Sequence, residues 1–399
     1  MNKLHLTKNY KIQYWFAFLQ AFPILMIVVN LSFFVFFRLF FSFRNISIIK
    51  ITSPFQILAI CFGIGALVST LNSYDLNSSL IVLPNYFYWT FLIILFYNYR
   101  NSINFEVIRE AIFKGLILVN LYYWIIEKTF NLITPYNKSI GENGYAILMV
   151  SFFPIALKYL LVKIGKKSAY FFAIISIVLG FASGSRAGAL LITLGALLTI
   201  FGKNLSFGKI LQLATICTIL YLFLFKTDFA SNLLYTIDAD VHAVIYKSTE
   251  VFEEDQSMLI RRAMVEKGLI LFEDDPLTGL GLNNWQEYEV KFRGNFVGAE
   301  NIIYKPRIEK FSAHNSYIAF LGEGGLLLFV PFVLLLFYTI FRLLIKFDQL
   351  DEYQQPILWS LIMMSIHIYF ISAMLNSFTW YLISLGVAAA GKDSYNKSI

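Results

Sequence analysis

Residues 313–345 read AHNSYIAFLGEGGLLLFVPFVLLLFYTIFRLLI, a short polar opening that runs directly into an apolar stretch long enough to cross a bilayer. His314 stands where the polar residues 226–312 return to that stretch, and Gly325 follows eleven residues later. A titratable side chain at such a junction needs a reason, because almost everything around it is apolar. His314 is therefore the first catalytic candidate.

The rest of the chain repeats the apolar pattern. Its 399 residues are 58% hydrophobic, 18% aromatic and 14% charged, whereas soluble domains carry about 25% charged residues. Further apolar segments lie near 13–42, 53–71, 80–98, 108–127, 143–163, 169–183, 186–202, 208–225, 356–373 and 377–390. So many runs of about 20 apolar residues cannot be buried in one soluble core. The expected fold is all-α, a polytopic membrane protein of about 11–12 transmembrane helices. One long external loop separates the eighth or ninth span from the last three. Three regions follow: an N-terminal transmembrane bundle (1–225), a large loop with short helices (226–312) and C-terminal transmembrane helices (313–399). The first apolar segment exceeds one span, and Pro23 and Asn30 are placed to break it into a hairpin. It is also too long for a signal-peptide core and lacks a small-residue cleavage site. Cys61 and Cys217 both fall within spans, which excludes a disulfide framework and makes them packing residues.

Charge sets the orientation. The loop 226–312 holds 15 of the 25 acids and 10 of the 32 bases, a balance of −5 that leaves +12 on the remainder. Basic residues cluster at alternate connections, among them Arg38, Arg44 and Lys50, Arg100 and Arg109, Lys163, Lys166 and Lys167, and Arg342 and Lys346. The positive-inside rule places these in the cytoplasm and the acidic loop outside. Chemistry on that outer side has no ATP or nucleotide-sugar to draw on, so an enzyme there needs a donor already activated.

Two arginine-bearing segments stand out. Phe181-Ala182-Ser183-Gly184-Ser185-Arg186-Ala187-Gly188 joins two short spans with almost no connection. Gly184 and Gly188 have the spacing that lets membrane helices approach closely. Arg186 is either a snorkelling residue at a packed turn or an anion site gripping phosphate bidentately. In the loop, 258–272 reads as a short helix carrying Arg261 and Arg262, ended by Pro276-Leu277-Thr278-Gly279-Leu280-Gly281. Glu266 is spaced to pair with Arg262, whereas Arg261 has no acid at helical spacing. The Gly279-x-Gly281 pair lacks the third glycine and the Lys-Ser/Thr of a nucleotide loop. Asp238, Asp240 and His242 form a weak metal-site candidate, and we expect no functional metal. His5 lies in the N-terminal tail, and mid-span His367 reads as a neutral imidazole bonded to a neighbouring helix. Loop aromatics Trp285 and Tyr288 are placed to fold the loop back onto the membrane or to stack on sugar rings.

In this order, Arg186 in its Ser-Gly-Ser-Arg-Ala-Gly context, Arg261, Pro276-Leu-Thr-Gly-Leu-Gly, and His314-Asn315-Ser316-Tyr317 with Gly325 resemble the O-antigen ligase family. The superfamily also includes lipid-linked polysaccharide polymerases and protein O-oligosaccharyltransferases. The resemblance spans roughly residues 140–345. Arg186 with Leu190 fits an Arg-x-x-x-Leu pattern, and His314 with Gly325 fits a histidine followed eleven residues on by glycine. Val265 departs from a tryptophan that many relatives carry four residues after the loop arginine.

The resemblance implies a metal-independent glycosyltransferase without cofactor, in the bacterial inner membrane with its site on the periplasmic side. Its donor is a glycan on undecaprenyl pyrophosphate, its acceptor lipid A–core or another lipid-linked glycan, and membrane lipids surround it; no nucleic acid is involved. His314 takes the acceptor proton, and Arg186 and Arg261 stabilise the departing pyrophosphate, with inversion at the anomeric carbon. Arg186, Arg261, Arg262, Asn315 and Tyr288 are the expected substrate-binding residues. O-antigen ligation is the leading expectation, a polysaccharide polymerase the alternative and a lipid-linked glycan flippase the second. A flippase would place charges near the midplane and show repeated halves, and neither pattern is visible.

Overall fold

The computed structural model describes residues 3–23, 51–130, 141–183, 185–202, 256–293, 312–372 and 376–392. Among the described residues every regular element is helical. The α-helices are α1 (Lys3–Ala21), α2 (Pro54–Leu71), α3 (Leu76–Asn98), α4 (Phe105–Leu121), α5 (Gly141–Lys163), α6 (Lys166–Ala182), α7 (Arg186–Phe201), α8 (Gln256–Asp274), α9 (Ser316–Ile345), α10 (Gln355–His367) and α11 (Ser377–Gly391). Among the described residues four segments are long and apolar enough to cross a membrane, namely Pro54–Leu71, Leu76–Asn98, Asn143–Lys163 and Ser316–Ile345. The chain is thus an all-α membrane protein. The expected segment 208–225 and the part of the expected segment 13–42 that follows Pro23, with Asn30, Cys217, Asp238, Asp240 and His242, lie outside the described residues.

Local sequence sets most helix starts. Ser53 caps α2 in a capping box with Gln56, and Pro54 occupies the first turn, where its missing N–H costs nothing. Asp75 caps α3 and Asn104 caps α4. The helix α1 ends at Ala21, two residues before Pro23. The loop helix expected at 258–272 is α8, extended by two residues at each end.

The chain divides into two units. Residues 1–200, 268–285 and 313–399 form the first, and 201–267 with 286–312 the second. The stretch 268–285 of the polar loop therefore belongs with the transmembrane helices. In the first unit an aromatic cluster joins four helices: Trp89 of α3 stacks on Trp380 of α11 at 4.9 Å, and Phe62 of α2 and Phe332 of α9 lie 4.7 and 5.8 Å from the same ring. Large apolar side chains such as Ile81, Phe171, Ile174 and Phe341 face outward, as lipid requires. Cys61 is on the exposed face of α2 instead of packed inside. Arg109, one of the basic residues expected at a cytoplasmic connection, is buried with its guanidinium carbon 3.6 Å above the Tyr353 ring.

Candidate functional site

His314 is held in a left-handed backbone conformation, φ 48°, immediately before α9. That region is uncommon outside glycine, though histidine tolerates it better than most, and it persists where neighbours over-determine the chain. The neighbours here do so. Ala313 is buried. Asn315 caps α9, its Oδ1 accepting from the Tyr317 and Ile318 N–H groups at 3.0 and 3.2 Å. The Ser316 N–H donates to the Ile368 carbonyl at 2.8 Å, and its hydroxyl donates to the Ile371 carbonyl at 2.8 Å. The Tyr317 hydroxyl donates to the Ser365 carbonyl at 2.9 Å. The start of α9 thus meets the end of α10 donor to acceptor, each satisfying groups that a helix terminus leaves open. This explains why α10 stops at His367, short of the apolar segment's end at 373. His367 itself is fully buried among these bonded residues. The His314 imidazole is partly exposed.

The histidine and Gly325 are linked by a broken helix. Within α9, Gly325 has φ 55° and ψ −162°, which ends one helical segment and starts another. The break leaves carbonyls before it and N–H groups after it without helical partners. The turn 276–281 supplies them: Leu280 N–H to Gly322 O at 3.0 Å, Gly281 N–H to Glu323 O at 2.9 Å, Leu326 N–H to Pro276 O at 2.9 Å, and Leu327 N–H to Leu277 O at 3.1 Å. Non-helical backbone inside a membrane protein is tolerated where it is bonded in this way. Gly279 and Gly281 also have positive φ, 65° and 103°. A Cβ on Gly279 would lie 2.6 Å from the Gly325 nitrogen, so the two backbones pass with no room for side chains. The break brings Phe320 and Phe332 to 4.6 Å, although twelve residues of straight helix span about 18 Å.

The turn is anchored to the α2–α3 connection by Asn284, which is fully buried. Its Nδ2 donates to Ser73 Oγ at 2.7 Å, Ser79 Oγ at 2.9 Å and the Leu282 carbonyl at 3.0 Å, and its Oδ1 accepts from the Asp75 N–H at 3.0 Å. Asp275 opens the turn by accepting from the Thr278 N–H and hydroxyl, at 3.1 and 2.6 Å. Burial pushes its carboxyl up, but the Thr278 and Leu277 hydrogen bonds prevail and hold it below the ordinary carboxylate value. The carboxyl of Asp75 is likewise lowered, chiefly by the Ser78 hydroxyl.

The remaining expected site residues are placed as follows. Arg186 begins α7, and its side chain is outside the described residues. Gly188 packs closely on α5, where an added Cβ would fall 2.7 Å from that of Ala146. In the second unit Arg261 is half-buried and Arg262 exposed. The Glu266 carboxylate, expected to pair with Arg262, accepts from the Arg293 N–H. Tyr288 is half-buried, and its carbonyl accepts from the buried Lys267 Nζ at 2.7 Å. Asn315, expected to bind substrate, is 4% exposed and engaged as a helix cap. Among the described residues no three His, Cys, Asp or Glu side chains group to hold a metal.

Sequence reasoning passed over Glu323, Asn284 and Lys267. An acid inside the apolar run that follows His314 was the available signal for Glu323; Asn284 and Lys267 lie in a polar loop where such residues are ordinary.

The full chain finds no match among curated proteins. Residues 171–333, which take in Arg186, Arg261, the 276–281 turn, His314 and Gly325, match the family model described as O-antigen ligase.

Proposed function

We propose that this protein transfers a glycan from undecaprenyl pyrophosphate to an acceptor hydroxyl on the periplasmic face of the bacterial inner membrane, ligating O-antigen to lipid A–core. The observation that carries the reading is His314: a partly exposed imidazole on a left-handed residue, braced on its C-terminal side by the Asn315 and Ser316 hydrogen bonds. Such bracing suits a group that must meet its substrate without reorganising.

In the proposed reaction the acceptor oxygen bonds to the anomeric carbon as the carbon–oxygen bond to pyrophosphate breaks. The imidazole takes the hydroxyl proton, and the lipid pyrophosphate leaves with the bonding pair, inverting the anomeric centre. Neutral imidazole is a competent base near pH 7. Arg186 and Arg261 neutralise the charge that develops on the leaving group, so the reaction draws on no metal. Arg262 and Tyr288 contact the glycan, and Asn315 acts by holding the backbone next to His314.

Deleting the gene in its host tests this, with a gel of surface lipopolysaccharide and analysis of the lipid-linked pool. Bare core with long glycan stranded on undecaprenyl pyrophosphate is expected, and His314→Gln should reproduce it while inserting normally. Core capped by a single repeat unit would instead make the protein a polymerase. Wild-type glycan in the His314→Gln strain would remove the histidine from the chemistry.

A further inference from the structure

Glu323 lies within the apolar run of α9, two residues before the break, and both its main chain and its side chain serve one loop. Its carbonyl accepts from the Gly281 N–H at 2.9 Å and from the Ser69 hydroxyl at 2.8 Å. Its carboxylate Oε1 accepts from the Trp285 N–H at 2.9 Å. Trp285 is 4% exposed. Its indole lies against Gly268 of α8 and Gly322 of α9, where an added Cβ would come within 3.2 and 3.3 Å of the ring. Gly268 in turn sits directly against Ile318, one turn into α9.

A carboxylate in such a setting is costly unless its oxygens are engaged. What the acid provides is an acceptor for a loop N–H at the one point where α8, the 276–285 loop and α9 converge.

We infer that Glu323 is a positioning residue, a latch that seats Trp285 and so fixes the C-terminal part of α8 on α9. Its consequence for activity rests on the transfer reading above. Arg261 lies seven residues before Gly268 on the same continuous helix, and His314 immediately precedes α9. The latch thus acts where residues 268–274 of α8 meet α9, the helix that His314 immediately precedes.

The test uses the full-length protein in its own membrane, with Cys61 and Cys217 replaced by alanine. Leu282 is fully buried in the loop, so Leu282→Cys reports undocking by its reaction with a membrane-impermeant maleimide. Glu323→Ala should raise the labelling rate about 10- to 100-fold, the effect of losing a hydrogen bond to a charged group. Glu323→Gln retains an oxygen that accepts from Trp285, so labelling should rise less than about threefold. Surface glycan should be lost in the alanine variant and retained in the glutamine variant. If the alanine protein is degraded, Glu323→Asp takes its place, because the shorter side chain withdraws from Trp285. A reporter that stays protected in the alanine or aspartate variant overturns the latch. So does a glutamine variant that loses surface glycan as fully as alanine while the reporter stays protected, since charge would then be the requirement. Unchanged surface glycan on gene deletion would defeat the transfer reading alone, and the labelling would still decide the latch.

Discussion

Replacing Gly325 by alanine should detach the 276–285 loop from α9. A Cβ at this position would stand 2.5 Å from the Leu277 carbonyl carbon and oxygen and 2.7 Å from the Gly279 nitrogen. Ordinary contact needs roughly 3.4 Å or more, and the obstructing atoms are backbone, so the turn itself has to move by about 1 Å. The bonds from Leu326 and Leu327 to Pro276 and Leu277, at 2.9 and 3.1 Å, do not survive such a shift. Backbone strain at φ 55°, ψ −162° adds about 1–3 kcal/mol for a non-glycine residue. Two buried N–H groups left without partners add about 1–3 kcal/mol each. The expected penalty is about 3–9 kcal/mol, more than one local contact can absorb. The assay is the Leu282→Cys labelling rate together with the denaturation midpoint in detergent. Gly165→Ala is the control: it too has positive φ, 123°, but nothing within 4 Å of the added Cβ. It should cost only the strain of about 1–3 kcal/mol and leave labelling unchanged. If Gly325→Ala labels and melts like Gly165→Ala, the close approach of the two backbones is not what holds the break, and the reasoning fails.

Asn284→Asp should destabilise at least as much as Asn284→Ala despite its matching shape. The new oxygen would face the Leu282 carbonyl that Nδ2 now bonds at 3.0 Å, and a midpoint near wild type would contradict the network. Gly65→Ala should separate α2 from α9, because its Cβ would overlap the Leu327 carbonyl, and normal accumulation in the membrane would refute that contact. Loop docking should respond to acid alone. Asp275 is held below its unfolded value, so its contribution is complete above about pH 4 and is lost as pH falls through the lower folded value. Leu282→Cys protection should be flat from about pH 8 to 5 and decline only below about 4, with Asp275→Asn removing that decline. Loss of protection between about pH 6 and 7 would point to another group.

Much of this protein was legible before any coordinates. Runs of apolar residues bounded by Ser53, Asp75 and Asn104 announce helices, because transfer of apolar side chains into lipid and capping of the first N–H groups are local effects. Pro276 and the two glycines marked a turn, and the ordered arginines and His314 carried the family resemblance. The helix around Arg261 was placed to within two residues at each end. Asn315, expected to bind substrate, is also a helix cap, a role that only the Tyr317 and Ile318 N–H groups reveal.

The partner of the break in α9 was beyond reach of the sequence. Gly279, Gly281 and Gly325 signal that backbone will adopt unusual angles or come close to something, but glycine does not say to what. The four bonds that join the turn to the break are made by main-chain groups that nearly every residue possesses, so no side chain encodes the pairing. The same holds for Ser316 meeting the end of α10. Composition and periodicity determined that this chain enters a membrane as helices and where its candidate site residues fall along it. Which interrupted helix receives which loop, and so how the residue before that helix is held, is a long-range fit of backbone to backbone that tertiary structure alone decides.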